Sequence, residues 1–153
     1  MPTARITRLT ESDWEQFAHL RLRALADALG TSDEQYLAES TMTPAHWRER
    51  LRDHAQFVVF VTNRPAGLIA AHQEDPGTVY LYSLWLDPRV RGRGLGRQLV
   101  AAALDWARRC GARVVTLRMA RDNHVARAVY EGLGFAEVPD DSLTEVAMTL
   151  RIG

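Results

Sequence analysis

The segment from Arg91 to Gly96 contains three glycines and two arginines, and an amphipathic run of residues follows it directly. The first backbone N–H groups of a helix have no partner inside the helix and carry partial positive charge. Because glycine lets the backbone approach a ligand oxygen closely, this segment predicts a turn that binds a phosphate or pyrophosphate at a helix start. A tight turn that uses glycine only for its geometry would have the same composition.

Two other phosphate-binding motifs do not fit the spacing. A Walker loop requires a lysine after its second glycine, and all 19 basic residues of this chain are arginines. The dinucleotide-binding fingerprint is G-x-G-x-x-G, whereas Gly96 follows Gly94 one residue too early. That fingerprint also belongs to the first βαβ unit of its fold, while this turn follows several predicted strands.

Hydrophobic periodicity predicts the elements that position the turn. Alternating apolar residues indicate strands, and apolar residues at helical spacing indicate helices. The predicted strands cover residues 4–9, 57–62, 68–72, 78–86, 113–119, 135–138 and 143–152, and the predicted helices begin near residues 14, 44, 95 and 123. Ser12 and Glu15 match a capping box at the first helix. Residues 31–41 are polar and are predicted as a loop, with at most a short helical turn.

The strand over residues 78–86 is apolar or aromatic on both faces. A strand that is buried on both sides needs a layer above and below it, so it is expected to be central, with helices covering both faces of the sheet. Strict alternation places Val79, Leu81 and Trp85 on one face and Tyr80, Tyr82, Leu84 and Leu86 on the other.

Composition limits the class of protein. The 153 residues are expected to form one domain, residues 1–153, with a core of its own. A net charge of zero argues against a nucleic-acid binder, and no apolar run is long enough to predict a membrane span. Residues 1–5 lack a signal-peptide pattern, so a cytoplasmic location is expected. Cys110 is the single cysteine and the histidines show no ligand spacing, so neither a disulfide nor a metal site is predicted.

Two motifs at a matching separation resemble those of one family. The first is Arg-x-x-Gly-x-Gly at residues 91–96, after a strand that ends in Leu-Asp-Pro. The second is Asn-x-x-Ala-x-x-x-Tyr-x-x-x-Gly-Phe at residues 123–135. Together with the order of the predicted elements, they resemble the GCN5-related N-acetyltransferase (GNAT) family over nearly the whole chain.

The resemblance implies a mixed α/β fold: a mostly antiparallel sheet of six to seven strands with helices on both faces. It implies acetyl-CoA as co-substrate, with pantetheine in a gap between the splayed ends of the central strand and the next one. A backbone N–H near Leu86 would then polarise the thioester carbonyl. The implied cofactor-binding residues are Leu84, Trp85, Leu86, Arg91, Gly92, Arg93, Gly94, Leu95, Gly96, Arg97, Asn123 and Tyr130. Asn123 also fits an ordinary helix N-cap.

The resemblance makes Tyr130 the candidate general acid, because a tyrosine hydroxyl keeps its proton at neutral pH and can protonate a leaving thiolate. Its position on an apolar helix stripe would equally fit a core tyrosine. The acceptor amine must lose a proton, and Glu74 and Glu34 are the candidate catalytic bases, with His72 and Glu39 as alternatives.

Three further residues are candidates for the acceptor side. Tyr82 and Ser83, on the central strand, could line an acceptor pocket. Arg21 interrupts the apolar face of the first helix, which fits either a side chain directed toward the acceptor or a partly buried ion pair.

The activity implied by the resemblance is transfer of an acetyl group to a primary amine, by direct attack in a ternary complex. The amine would belong to a small molecule or to a peptide or protein N-terminus. Two alternatives stay open: a non-catalytic acyl-CoA sensor or partner-binding module on the same fold, and an enzyme with a longer acyl-CoA donor. Residues 20–25 and the Trp47 helix resemble a bacterial subgroup, and members of the family often form homodimers. The acceptor, the base and the oligomeric state are not determined by the sequence.

Overall fold

The computed structural model describes residues 3–153, so Met1 and Pro2 of the polar N-terminal segment lie outside the described residues. The described residues form seven strands and five α-helices, with short 3₁₀ helices at Glu11–Asp13 and Pro88–Val90. The elements are β1 (Ala4–Arg8), α1 (Trp14–Leu29), α2 (Glu34–Ser40), α3 (Pro44–Asp53), β2 (Ala55–Val61), β3 (Arg64–Asp75), β4 (Thr78–Leu86), α4 (Leu95–Arg109), β5 (Val114–Ala120), α5 (His124–Gly132), β6 (Ala136–Val138) and β7 (Glu145–Arg151).

The strands form one sheet in the order β1-β2-β3-β4-β5-β7-β6, with β4 in the centre. Strands β4 and β5 pair in parallel, and the other neighbouring pairs are antiparallel. The parallel pair needs a crossover connection, which α4 supplies. The predicted mixed, mostly antiparallel sheet with a central 78–86 strand is therefore confirmed.

Helices cover both faces of this sheet, as predicted. On one face, α4 and α5 pack on a large apolar cluster that includes Leu99, Leu117 and Tyr130. On the other face, α1 and α3 pack on a smaller cluster built around Phe17 and Trp47, whose rings meet edge to face at 5.6 Å. Among residues 3–153, no helix has the length and apolar character needed to cross a membrane.

Two local predictions near α1 and α2 are wrong. The capping box uses Thr10 and Asp13 rather than Ser12 and Glu15, because a 3₁₀ turn precedes α1 and takes the cap. The backbone N–H of Thr10 donates to Asp13 Oδ2 at 2.8 Å. Residues 31–41 are not a loop, since α2 forms within them behind Asp33, whose side chain accepts from the N–H of Gln35 at 2.8 Å.

The predicted faces of β4 are also wrong beyond Tyr82. Ser83 has a φ of 63°, and the register shifts there, because Tyr82 pairs with Ala70 while Trp85 pairs with Leu68. This β-bulge adds one residue to β4, and one added residue moves every later side chain to the opposite face. Leu84 and Leu86 accordingly pack on the α4 side and Trp85 packs on the α1 side. The face of β4 that carries Tyr80 and Tyr82 is only half-buried, because these two side chains line a cleft and do not pack in the core.

Candidate functional site

The two central strands separate toward the carboxyl end of β4. Their pairing runs from Thr78 with Val114 to Leu81 with Leu117, and within the described residues it stops there. Strand β5 continues beside β7 as far as Ala120. The edge of β4 that faces β5 is therefore unpaired through Leu86, and its backbone groups are available to a ligand.

The glycine turn lies at the end of this split, between β4 and α4. Gly92 and Gly94 have φ values of 79° and 78°, which side chains rarely adopt, and Gly94 is the N-cap of α4. A β-carbon added to either would meet no atom of the described chain within 4 Å. These glycines are therefore needed for their backbone conformation, and the space in front of them is open.

The arginine at the start of the turn is anchored to the protein. Arg91 Nε donates to the backbone oxygen of Leu86 at 3.0 Å, and its Nη2 pairs with Asp27 at 3.0 Å. Arg93 Nη2 donates to the backbone oxygen of Arg89 at 3.2 Å. These three contacts stiffen the turn, and the N–H groups of the first turn of α4 have no partner within the helix.

Asp87 is a structural anchor that sequence reasoning treated only as the end of a strand. It is buried, and it accepts hydrogen bonds from the side chain and backbone N–H of Arg89 and from Arg23. The Arg89 hydrogen bonds lower the pKa of Asp87 to about 2. The carboxylate therefore stays ionised and joins α1 to the corner between β4 and the turn.

Tyr130 lies on α5 and belongs to the apolar cluster that Leu84 and Leu86 of β4 also contact. It is 4% exposed, and its ring packs edge to face on Phe135 at 5.4 Å. Burial, with a smaller contribution from the neighbouring Tyr80 phenol, raises the pKa of Tyr130. Its hydroxyl is consequently a proton donor across the neutral range. Asn123 caps α5, since its Oδ1 accepts from the N–H of Ala126 at 3.1 Å.

A cleft of about 550 Å³ opens between α3 and strands β3 and β4. Its lining combines aromatic, imidazole and carboxylate groups: Met42, His46, Glu49, Arg50, Asp53, His54, His72, Tyr80 and Tyr82. Tyr82, one of the two β4 residues suggested for an acceptor pocket, lines this cleft, as does His72. Ser83 does not line it; its hydroxyl is bonded to Arg21 instead. Sequence reasoning missed the α3 residues, although His46, Glu49, Arg50 and Asp53 recur at helical spacing and form a polar stripe.

The side chains of Arg21 on α1 and Glu39 on α2 form a buried ion pair. Arg21 donates to both carboxylate oxygens of Glu39, at 3.0 and 3.2 Å, and to Ser83 Oγ at 3.2 Å. Arg50 adds a bond of 2.8 Å to Glu39. Burial alone would raise the pKa of Glu39, but the hydrogen bonds from Arg21, Arg50 and Gln35 outweigh it and lower the pKa to about 2. Of the two interpretations of Arg21, the structure shows the ion pair.

The two predicted carboxylate bases have different surroundings. Glu74 is exposed near the end of β3, where the next residue, Asp75, pairs with Thr78 at the start of β4, the end away from the split. Glu34 is exposed in the first turn of α2. Neither carboxylate lines the cleft.

Comparison with known proteins agrees with this geometry. The family model for GNAT acetyltransferases matches residues 8–135. The chain is 27% identical over 143 residues to an uncharacterized N-acetyltransferase of Methanocaldococcus jannaschii, covering 88% of this chain and 62% of the relative. It is 40% identical over 77 residues to mycothiol acetyltransferase of a Nocardioides species, covering 50% of this chain and 25% of that protein. The chain thus spans less than two thirds of the length of these curated relatives.

Solved structures share the fold. The PaiA N-acetyltransferase of Thermoplasma acidophilum, in complex with coenzyme A, superposes with a TM-score of 0.79 at 18% identity and covers 98% of this chain and 99% of its own. YncA of Salmonella typhimurium, with acetyl-CoA, superposes with a TM-score of 0.75 at 20% identity, covering 97% and 94%. The two sequence motifs and the split sheet agree with the family match over residues 8–135. This chain therefore belongs to the GNAT family of acetyltransferases.

Proposed function

We propose that this protein transfers an acetyl group from acetyl-CoA to a primary amine of a small molecule or of a peptide or protein N-terminus. The observation that carries the proposal is that the unpaired edge of β4 leads into the glycine turn at the start of α4, while Tyr130 belongs to the same apolar cluster as Leu84 and Leu86 of that strand. A cleft lined by polar and aromatic side chains opens beside it and gives the amine an approach. Coenzyme A is bound in the similar structures of PaiA and YncA.

The residues around the split fit coenzyme A in shape and charge. The pyrophosphate would accept from the backbone N–H groups of the turn, residues 91–97, because Gly92 and Gly94 leave open space in front of a helix start. Pantetheine would lie along the free edge of residues 84–86, where the backbone offers donors and acceptors. Asn123, which already caps α5, would contact the cofactor at the start of that helix.

The chain would act at three points during transfer. A backbone N–H near Leu86 would donate to the thioester oxygen and stabilise negative charge as it develops. The amine nitrogen would form its bond to the carbonyl carbon while the carbon–sulfur bond breaks, and Tyr130 would donate its proton to the departing sulfur. Glu74 and Glu34 are the carboxylates proposed to accept the amine's proton.

The first experiment separates an enzyme from a non-catalytic acyl-CoA sensor. Acetyl-CoA is titrated into the protein by calorimetry, and a panel of primary amines is then screened for release of free thiol. We expect binding, and turnover with at least one amine. Tyr130→Phe should lower kcat by about 10²-fold or more while leaving the acetyl-CoA Kd unchanged, because it removes only a proton donor.

Three results would contradict the proposal. Absence of acetyl-CoA binding would remove the donor site. Binding without turnover for any amine would favour the sensor. Faster turnover with a longer acyl-CoA than with acetyl-CoA would keep the enzyme and change the donor.

A further inference from the structure

Helix α1 contacts the part of β4 that strand β5 leaves unpaired. In the described chain, pairing with β5 stops at Leu81, so residues 83–87 pair with β3 alone. Backbone groups along such an edge have no strand partner to fix them. Three side chains of α1 form hydrogen bonds with this stretch, from Arg21, Arg23 and Asp27. Polar contacts from α1 therefore hold the stretch in place where β5 does not.

The backbone of Leu86 points into the split. The N–H of the next residue, Asp87, donates to the Ala66 oxygen of β3 at 2.8 Å. Because backbone groups of successive residues in a strand point to opposite edges, the N–H and C=O of Leu86 face the free edge. Arg91 Nε donates to that oxygen at 3.0 Å. The Arg91 side chain thus joins the free edge to the glycine turn, beside the N–H proposed to bind the thioester oxygen.

A single carboxylate oxygen of Asp27 holds both parts of this arrangement. Asp27 Oδ2 accepts from Trp85 Nε1 at 2.9 Å and from Arg91 Nη2 at 3.0 Å. Trp85 directly precedes Leu86, and the Arg23 guanidinium lies over its indole, 5.8 Å from the ring centroid. Asp27 therefore fixes the residue before the free N–H together with the first residue of the glycine turn.

The position of Asp27 is unfavourable for its own helix. It lies in the last turn of α1, which ends at Leu29, and that turn contains no basic residue. The C-terminal end of a helix carries partial negative charge, so a carboxylate there destabilises the helix. Helix stability therefore does not account for an aspartate at this position, whereas its contacts with Trp85 and Arg91 do.

We propose that Asp27 is a positioning residue of the donor site, which fixes the distance between the Leu86 N–H and the glycine turn. The inference rests on the proposed acetyltransferase function. Acetyl-CoA would bind the turn with its pyrophosphate and the Leu86 N–H with its thioester oxygen, and one molecule makes both contacts only when that distance matches. Binding energy from the pyrophosphate then places the carbonyl against its donor and raises kcat. Asp27 acts through Trp85 and Arg91.

The test separates placement of the thioester from affinity for the cofactor. Asp27→Ala and wild type are compared for kcat with saturating acetyl-CoA and the best amine of the thiol-release screen, and for the Kd of coenzyme A by calorimetry. We expect kcat to fall about tenfold, because a displacement of less than about 1 Å at the reacting centre is enough for such a loss. The Kd of coenzyme A should rise less than about threefold, since an exposed ion pair contributes little.

Two further substitutions test whether Asp27 acts through the indole. Trp85→Phe retains an aromatic ring and removes the N–H, so it should also lower kcat while leaving the Kd of coenzyme A nearly unchanged. The double variant should match Asp27→Ala, because the indole hydrogen bond is already lost there. Asp27→Asn should recover part of kcat, since its amide oxygen can still accept from the indole.

Controls address folding and the general effect of removing a charge. Asp105→Ala removes an exposed carboxylate of α4 that pairs with Arg108 at 3.1 Å, and it should match wild type in kcat and in the Kd of coenzyme A. The melting temperature of Asp27→Ala should stay within about 4 °C of wild type, because the lost contacts are exposed and the end of α1 loses an unfavourable charge. A wild-type kcat in Asp27→Ala, or additive losses in the double variant, would overturn the inference.

Failure of this inference differs from failure of the proposed function. If wild type neither binds acetyl-CoA nor acetylates any amine, the proposed function fails and the role of Asp27 fails with it. If wild type is active and Asp27→Ala changes only the Kd of coenzyme A or only the melting temperature, the acetyltransferase function stands. Asp27 would then contribute to binding or to folding, and it would not be a positioning residue.

Discussion

The two sides of the split in the sheet are built in different ways. The donor side consists of backbone: the free edge of β4, two glycines at positive φ and the first turn of α4. The acceptor side consists of side chains from α3, β3 and β4, with His54 and His72 brought together by strand register. Backbone donors suit a ligand part that is the same in every cycle, whereas side chains can be exchanged to suit a different amine.

The two sides are also held by separate charged groups. Asp87 fixes the corner before the glycine turn, through Arg23 and Arg89. Glu39 joins α1, α2 and α3 beneath the acceptor side, through Arg21 and Arg50. The two clusters share no residue, but Arg21 also donates to Ser83 Oγ in the β4 bulge, so the Glu39 cluster reaches the strand that carries the free edge.

The largest expected effect comes from Glu39→Gln. Its carboxylate is 6% exposed and neutralises two arginines, so its loss leaves buried positive charge and should lower the free energy of unfolding by about 3 kcal/mol. Glu49→Gln, on an exposed position of α3, should change it by less than about 0.5 kcal/mol. Urea titrations followed by circular dichroism measure both.

The same substitution should remove part of the acid sensitivity. The folded-state pKa of Glu39 is lowered from 4.5 to about 2, so its contribution is fully present above pH 4.5 and is lost as the pH falls toward 2. The difference in unfolding free energy between wild type and Glu39→Gln should therefore shrink over that window. A difference that stays constant down to pH 2.5 would show that the carboxylate's charge is not what stabilises the fold.

This contrast also explains how much the sequence could predict. The strand, glycine turn and helix of the proposed donor side were predictable because their residues are adjacent in the chain: three glycines, a strand before them and a helix after them. The overall sheet was predictable for a similar reason, since hydrophobic periodicity is local. The pair of His54 and His72 was not, because they lie 18 positions apart and meet only through the pairing of Ala55 with Ala71.

The bulge in β4 shows a second limit of sequence reasoning. Ser83 adopts a φ of 63° although it is not a glycine, and its Oγ is hydrogen-bonded to Arg21, 62 positions earlier. A conformation that depends on a distant side chain leaves no local pattern to detect. The faces of Leu84, Trp85 and Leu86 follow from that bulge, so strict alternation assigned them to the wrong sides.

A smaller effect is expected from Gly94→Ala, which tests whether the donor side depends on backbone shape. Alanine at a φ of 78° should cost about 1 kcal/mol of stability and should place a methyl group in the open space before α4. We expect the acetyl-CoA Kd to rise at least about tenfold, or 1.4 kcal/mol, by calorimetry. Gly111→Ala is the matched control, because Gly111 has a φ of 81°, equally open surroundings and a position at the far end of α4.

Comparing the two glycine variants separates a loss of acetyl-CoA affinity from the loss of stability that backbone strain causes. Both variants should lose similar stability in urea, since both place a β-carbon in the left-handed region. Only the Gly94 variant should lose affinity for acetyl-CoA. Equal affinities would indicate a turn shaped by geometry alone, and the pyrophosphate site would then have to lie elsewhere.

The smallest effect is expected from Arg93→Gln, which tests how far side-chain charge adds to the backbone donors. Arg93 is exposed and is held by one hydrogen bond to the Arg89 carbonyl, so its charge near a pyrophosphate should be worth less than about 1 kcal/mol, a Kd rise of about fivefold or less. Arg108→Gln, exposed in the last turn of α4, is the control. Raising the salt concentration should shrink the Arg93 effect, because exposed charges are screened. If Arg93→Gln weakened acetyl-CoA binding more than Gly94→Ala does, the donor side would depend on side-chain charge more than on backbone shape.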